Sequence, residues 1–260
     1  VPPPRRRSLV LAALLAVVLT GCTTTVPTAP DSSTAAAVVH TAGPPPSATP
    51  SAPPGPPPFP MNAHSRIDPA SIWVIVNKKH PLIPVDYAPS DLVDPDIHNV
   101  NGQPVRAEAA TALSRMLAAA RQTAGLRFQL QSGYRSYSTQ VAVYNQNVAA
   151  YGRASADTDT ARPGFSEHQT GLVVDLSALP ANCSLDACFA GTAQGTWLAA
   201  NAWQYGFLLR YPSDKEQVTG YTFEPWHYRY IGTELAAEMH RRGVETLEEF
   251  FGITGGGYAG

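Results

Sequence analysis

Proline placement decides where this chain can fold. Most of its 25 prolines lie before Arg66, many in runs such as Gly43-Pro44-Pro45-Pro46 and Pro53-Pro54-Gly55-Pro56-Pro57-Pro58. From Thr23 to Arg66 the composition is dominated by Pro, Ala, Ser and Thr. Such a stretch cannot bury enough apolar surface to offset the entropy of ordering it, and its prolines hold it extended. Residues 23–66 are therefore expected to form a stiff, disordered tether, with folding confined to residues 67–260. Roughly 190 residues remain, enough for one domain with a sizeable core.

The segment before the tether addresses the chain. Arg5, Arg6 and Arg7 precede the apolar run Leu9 to Leu19, which is short for a membrane span but suits the core of a secretory signal. The run ends in Leu19-Thr20-Gly21-Cys22, which resembles a bacterial lipobox, where a small residue permits cleavage and the cysteine thiol carries lipid. The alternative is an ordinary signal with an incidental cysteine. The expectation is a signal over residues 1–22 and a lipoprotein held through Cys22 on the outer face of the cytoplasmic membrane, facing the cell wall. A net charge of −2 and a pI near 6.4, with no basic run after the signal, argue against nucleic acid as a partner. Cys183 and Cys188 stand in a loop-like stretch, where an exported, oxidising setting favours a disulfide. A zinc centre built on the pair would need further ligands close by.

Hydrophobic periodicity sketches the folded part. Ile72 to Val76 is β-prone, and Leu113, Met116, Leu117 and Ala120 predict a helix over Ala107 to Arg121. Leu126, Phe128 and Leu130 alternate as in a strand, and Ser138 can cap a helix burying Val141, Tyr144 and Val148. Leu172 to Leu176 reads as a strand, Trp197 to Tyr205 as a helix stopped by Gly206, and Phe207 to Tyr211 and Tyr221 to Tyr230 as strands. A helix around Leu235 to Arg241 stops at Gly243, and Thr246 with Glu249 predicts a capping box for a last short helix. Helices and strands mix without βαβ alternation. The fold class expected is α+β, with a mainly antiparallel sheet flanked by helices.

Chemistry concentrates around two histidines. His168 lies in Ser166-Glu167-His168-Gln169-Thr170-Gly171, seven residues before Asp175, and His227 closes Glu224-Pro225-Trp226-His227. Two imidazoles and a carboxylate form a catalytic zinc set that leaves one position for water. Asp175 sits inside an apolar strand, where a buried carboxylate needs a metal or an arginine beside it. A structural aspartate held by backbone amides and two ordinary histidines is the competing interpretation. Glu224 and His227, three apart, would diverge in a regular strand, and a bulge at Pro225 is one way to bring them together.

With those motifs in view, the chain resembles the VanY-like D-alanyl-D-alanine carboxypeptidases, zinc enzymes of the Hedgehog/DD-peptidase fold. The resemblance rests on Ser132-Gly133-Tyr134-Arg135-Ser136, Arg162-Pro163-Gly164-Phe165-Ser166-Glu167-His168-Gln169-Thr170-Gly171 and Glu224-Pro225-Trp226-His227-Tyr228-Arg229-Tyr230. It implies one Zn2+ per chain on His168, Asp175 and His227, and Glu224 as the general base and acid for an attacking water. It implies Arg135 as the group that steadies the oxyanion or the substrate's terminal carboxylate, and Gln140 and Ser166 as substrate contacts. Ser166 capping a turn and Gln140 exposed on a helix are the structural alternatives for those two. Tyr134, Trp226 and Tyr228 are expected to pack around the site. Val173 stands where the family commonly has alanine, which should narrow or shift the site.

The resemblance implies a monomeric D,D-carboxypeptidase that removes the terminal D-alanine of peptidoglycan stem peptides. The alternative within the family is an L,D-carboxypeptidase acting on tetrapeptide stems. A non-catalytic, zinc-containing wall-binding module is the alternative from another class.

Overall fold

The computed structural model describes residues 58–258. The signal segment, Cys22 and the tether as far as residue 57 lie outside the described residues. Residues 59–66, expected to belong to the tether, instead pack on the domain. The Phe59 and Trp73 rings stack with centroids 5.8 Å apart, and Phe59 meets Phe250 edge-on. Ile75 N–H donates to the Arg66 carbonyl. Phe59 supplies apolar surface that a proline count overlooks, and it carries the folded body past the expected boundary.

Three short strands come first: β1 (Leu92–Val93), β2 (His98–Asn99) and β3 (Val105–Arg106). Helix α1 (Ala107–Ala124), strand β4 (Phe128–Ser132) and helices α2 (Tyr137–Tyr151) and α3 (Arg153–Asp159) follow. A 3-10 turn (Glu167–Thr170) leads into β5 (Val173–Ala178), then come α4 (Ala193–Asn201), β6 (Phe207–Leu209) and α5 (Glu216–Thr219). Strand β7 (His227–Tyr230) precedes α6 (Thr233–Arg242) and α7 (Leu247–Phe251). The central sheet runs β2-β4-β5-β7-β6, parallel at β2–β4 and antiparallel at the other pairings. This is the α+β, mainly antiparallel architecture expected.

Alternation along β5 divides its side chains between core and site. Val174, Leu176 and Ala178 enter a core with Leu113 and Met116 of α1, Leu130 of β4 and Phe207 of β6. Burying a side chain such as Leu113 or Met116 contributes on the order of 2 kcal/mol. Val173, Asp175 and Ser177 take the opposite face, yet all are buried. A second core gathers Trp73, Ile231, Leu235, Met239, Leu247 and Phe251 under α6 and α7.

Several local expectations change. The segment from Ile72 to Val76 is buried but not a strand: the Arg229 guanidinium donates to the Ile72 and Val74 carbonyls at 3.1 and 3.0 Å, replacing ladder partners. Ser136, not Ser138, caps α2, its Oγ accepting from Thr139 N–H at 3.1 Å. That helix buries Gln140 and Tyr144, while Val141 and Val148 are only half-buried. The helix expected over Trp197 to Tyr205 is α4 continued by a 3-10 turn, with Gly206 at φ 84° as its stop. The last expected strand is regular only from His227, because Pro225 and Trp226 form a turn. Thr246 caps α7 as predicted, its Oγ1 accepting from Glu249 N–H, while the Glu249 carboxylate accepts from the Thr246 hydroxyl and not from its backbone N–H. Cys183 and Cys188 are disulfide-bonded.

A buried ionic network joins the sheet to both ends of the domain. Glu167 Oε1 accepts from Arg210 Nε and from an Arg229 terminal nitrogen, each at 2.9 Å. Arg210 also grips both oxygens of Glu248, at 2.9 and 2.7 Å, and Asn77 donates to that carboxylate at 3.0 Å. The Glu167, Arg210 and Arg229 side chains have no exposed surface. Burial of that depth is tolerable because each charge is paired and hydrogen-bonded.

Candidate active site

Strand β4 and the 3-10 turn build one wall of the site. Gly133 follows β4, and a Cβ there would stand 2.7 Å from the Pro104 carbonyl oxygen, so only glycine allows this close approach. The freed carbonyl of Gly133 accepts from His168 Nδ1 at 2.8 Å. That bond places a proton on Nδ1 and turns Nε2 inward, where it lies 3.2 Å from Asp175 Oδ2. Arg135 N–H donates to the His168 carbonyl, which brings the arginine to the same wall.

The opposite wall comes from β7 and the turn before it. His227 pairs in register with Asp175 across β5–β7, and its Nδ1 lies 3.3 Å from Asp175 Oδ1. The Glu224 carbonyl accepts from His227 N–H at 3.1 Å, closing a turn with Pro225 at its second position. The turn, not the bulge expected at Pro225, folds Glu224 back so that its Oε2 sits 3.3 Å from His227 Nδ1. The outer nitrogen of His227, Nε2, faces Glu167 Oε2 at 3.6 Å.

His168, Asp175 and His227 each offer a donor atom within 4.8 Å of the others, and all three are buried. The donor set fits a divalent cation. Asp175 Oδ1 accepts no hydrogen bond although His227 Nδ1 is 3.3 Å away, so these atoms converge without bonding to one another. Burial opposes a charge on His227, yet the nearby Asp175, Glu167 and Glu224 carboxylates push its proton affinity well above that of an ordinary imidazole. Burial also opposes the Asp175 carboxylate, but the two histidines hold it ionised well below the usual range. So much negative charge around one ring calls for positive charge at that point. One carboxylate and two nitrogens is a set that zinc accepts.

Burial raises the Glu224 carboxyl above its ordinary value, against the pull of His227. Burial likewise lowers the Arg135 guanidinium, against the pull of Asp175 and Glu224. Arg135 Nε and Gln140 Oε1 are buried without hydrogen-bond partners, and both residues line the cleft. Gln140 is 1% exposed and donates to the Ala161 carbonyl, so it is not a surface residue of α2. Ser166 lines the cleft too, and its side chain makes no capping bond to the 3-10 turn. Tyr228 is core, whereas Trp226 lines the cleft. Val173 is fully buried, shares a strand face with Asp175 and does not line the cleft.

Three features were not anticipated. Glu167 faces His227 at 3.6 Å, and a glutamate beside a candidate ligand histidine is the sequence signal for it. Tyr211 and Tyr221 line the cleft; Tyr211 stands in the family-like stretch Arg210-Tyr211-Pro212 but carried no expected role, and no motif marks Tyr221. Leu185 also reaches the cleft, from the disulfide loop.

Comparison with known proteins leads to the same place. The protein YodJ of Bacillus subtilis (strain 168) is 42% identical over 189 residues, covering 71% of this chain and 68% of YodJ. The solved structure of the LdcB LD-carboxypeptidase, described with its basis of peptidoglycan recognition, superposes with a TM-score of 0.66 at 40% identity, covering 72% of this chain and 88% of that one. A mutant of the vancomycin resistance D,D-pentapeptidase VanY in complex with Zn(II) gives a TM-score of 0.56 at 33% identity, covering 68% and 97%. The family model described as D-alanyl-D-alanine carboxypeptidase matches residues 102–233, a span that takes in Arg135, His168, Asp175, Glu224 and His227. Motifs, fold and donor geometry thus agree, and the chain belongs to the VanY family of D-alanyl-D-alanine carboxypeptidases.

Proposed function

We propose that this chain is a zinc-dependent carboxypeptidase that releases the terminal D-alanine from peptidoglycan stem peptides. The observation that carries this is the convergence of His168, Asp175 and His227 with Glu224 poised 3.3 Å from His227, in a cleft that also holds Arg135. His168 through Nε2, Asp175 through its carboxylate and His227 through Nδ1 would hold the ion. When bound, Zn2+ supplies Lewis acidity to the scissile carbonyl and acidifies water.

The chain's own groups account for the rest. Glu224 accepts a proton from the water as it adds to the carbonyl carbon, and its raised proton affinity suits it to keep that proton. When the C–N bond breaks, the same carboxyl passes the proton to the departing amine of D-alanine. Arg135 offers positive charge to the oxyanion or to the terminal carboxylate. Gln140 Oε1 and the Ser166 hydroxyl offer polar contacts to the substrate end. The sequence before the domain supports export and anchoring through Cys22, and such an anchor would hold the enzyme facing the wall.

The family supports D,D-cleavage, and the Zn(II)-bound D,D-pentapeptidase VanY is a structural neighbour. The higher TM-score and identity to the LdcB LD-carboxypeptidase favour a second reading, L,D-cleavage of tetrapeptide stems. Mass spectrometry of pentapeptide and tetrapeptide stems incubated with the zinc-loaded protein decides between them. Loss of alanine from the pentapeptide supports the first reading and loss from the tetrapeptide alone supports the second. Alanine release from neither rejects both. Glu224→Gln should lower turnover on the order of 10²- to 10⁴-fold while the protein still takes up one zinc.

A further inference from the structure

The cleft rim carries a residue that the chemistry above does not use. Leu185 is 46% exposed, lines the catalytic cleft and has φ of 52°. Positive φ crowds a branched side chain against its own backbone, and glycine or asparagine would sit there with less strain. Exposure adds a hydration cost for an apolar side chain. Among the described residues, the other non-glycine position with positive φ is Cys183, in the same loop and also at 52°. Two local costs therefore fall on a leucine that contributes nothing to either core, at the edge of the site. Such strain at a cleft calls for a functional account.

The loop is held firmly. The Cys183–Cys188 disulfide closes it, and Asp186 Oδ1 accepts from Cys188 N–H at 2.8 Å. Cys183 packs against the main core, and Phe189, just past the loop, is fully buried in it. Gln131 donates to Ser177 Oγ at 2.8 Å and to Ser184 Oγ at 3.4 Å, tying Leu185's neighbour to β4 and β5. Sheet register then fixes its position. Ser132 stands opposite Asp175 and Gln129 opposite Ser177, so the chain leaves β4 toward Arg135 at the Asp175 end of the ladder, while Ser177 and the Gln131 bonds to Ser177 and Ser184 lie toward the other end. Ser177 lies about 7 Å along the strand from Asp175, roughly the span of two extended peptide residues.

We infer that the disulfide-closed loop Cys183–Cys188 is a fixed aliphatic lip of the cleft, with Leu185 as a specificity-determining residue. Its ligand is an aliphatic side chain about two residues before the scissile bond of the stem peptide. The inference rests on the carboxypeptidase reading, in which Arg135, Gln140 and Ser166 take the terminal end and leave the opposite end for the preceding residues. A loop whose backbone is already closed by the disulfide loses little freedom on binding, which makes a single leucine an effective contact.

Leu185→Asn keeps a residue that tolerates positive φ and removes the apolar contact, whereas Leu185→Met keeps the contact. In a Glu224→Gln background, calorimetric titration with uncleaved pentapeptide and tetrapeptide stems should show Leu185→Asn weakening stem binding about five- to tenfold. Leu185→Met should stay within twofold of its parent, and binding of the dipeptide D-Ala-D-Ala, too short to reach the lip, should change less than twofold for both. In the active protein Leu185→Asn should raise KM for the stems by the same factor with kcat within twofold. Stem binding within twofold for Leu185→Asn, or no stem binding at all, overturns the inference. Failure of the wild-type protein to release alanine would instead overturn the catalytic reading, and the binding arm would still decide the role of the lip.

Discussion

Glu167→Gln tests whether the buried network sustains both fold and site. The carboxylate takes two guanidinium bonds at 2.9 Å on Oε1 and turns Oε2 toward His227 Nε2 at 3.6 Å. An amide of the same shape must place its NH2 on one side or the other. On the Oε1 side, donor meets donor at Arg210 and Arg229. On the Oε2 side it faces His227 Nε2, which favours the tautomer with the proton on Nδ1, the nitrogen nearest Asp175 and Glu224. In either orientation the negative charge is gone. Arg210 retains Glu248, but Arg229 keeps only backbone carbonyls. Breaking a buried ion pair costs about 3 kcal/mol at the low end, and the remaining bonds argue for that end. For a domain of this size, that lowers Tm by roughly 6–12 °C. The assay is circular dichroism melting of chelator-treated protein, so that metal does not mask the loss, followed by zinc competition against a chromogenic chelator. Zinc binding should weaken about 10- to 100-fold through the lost partner of His227. A Tm change under about 2 °C, with zinc affinity unchanged, would refute both halves of the reasoning.

Gly133→Ala should destabilise by about 2 kcal/mol, because its Cβ would meet the Pro104 and Gln103 carbonyl oxygens at 2.7 and 3.0 Å and backbone must shift; denaturant unfolding measures it. A loss well under 1 kcal/mol would show that the approach is slack. Acid should weaken the fold through Glu248, whose carboxyl is held below its ordinary 4.5 by Arg210 despite burial. A depressed folded value means that the contribution is whole above pH 4.5 and lost as pH falls through the folded value. Glu248→Gln should therefore be less stable than wild type at pH 6, with a shallower decline from pH 5 to pH 3, which parallel melts across that range would show.

What the sequence disclosed follows from what periodicity and motif can encode. The stripe Leu113, Met116, Leu117 and Ala120 identified α1, and the apolar run around Asp175 identified β5, because burial of those side chains imposes the period. His168, Asp175, Glu224 and His227 were legible as a set through their motifs, and the structure brings all four together. Contacts without a period were hidden. Ile72 to Val76 has strand composition, but its carbonyls are satisfied by an arginine remote in sequence, a tertiary bond that no window of residues contains. The turn at Pro225 was likewise out of reach, since proline fits a bulge and a turn alike.

Charged residues show most clearly where local reading ends. Arg210, Arg229, Glu167 and Glu248 carry types that ordinarily stay in water, yet here all four are buried. Their placement has a consequence for the site. Glu167 precedes His168 in the chain and faces His227 across it, while Arg210 binds that same Glu167 and reaches Glu248 of α7. Histidine orientation therefore depends on a helix at the far end of the sequence. An apolar replacement for these four charges would pack as well or better, since buried ion pairs seldom exceed hydrophobic isosteres in stability. What it would lose is the carboxylate that faces His227 Nε2 at 3.6 Å, on the side of the ring away from Asp175. The network is better understood as a device for aiming a ligand than as a source of stability, and the zinc competition on Glu167→Gln separates those two roles.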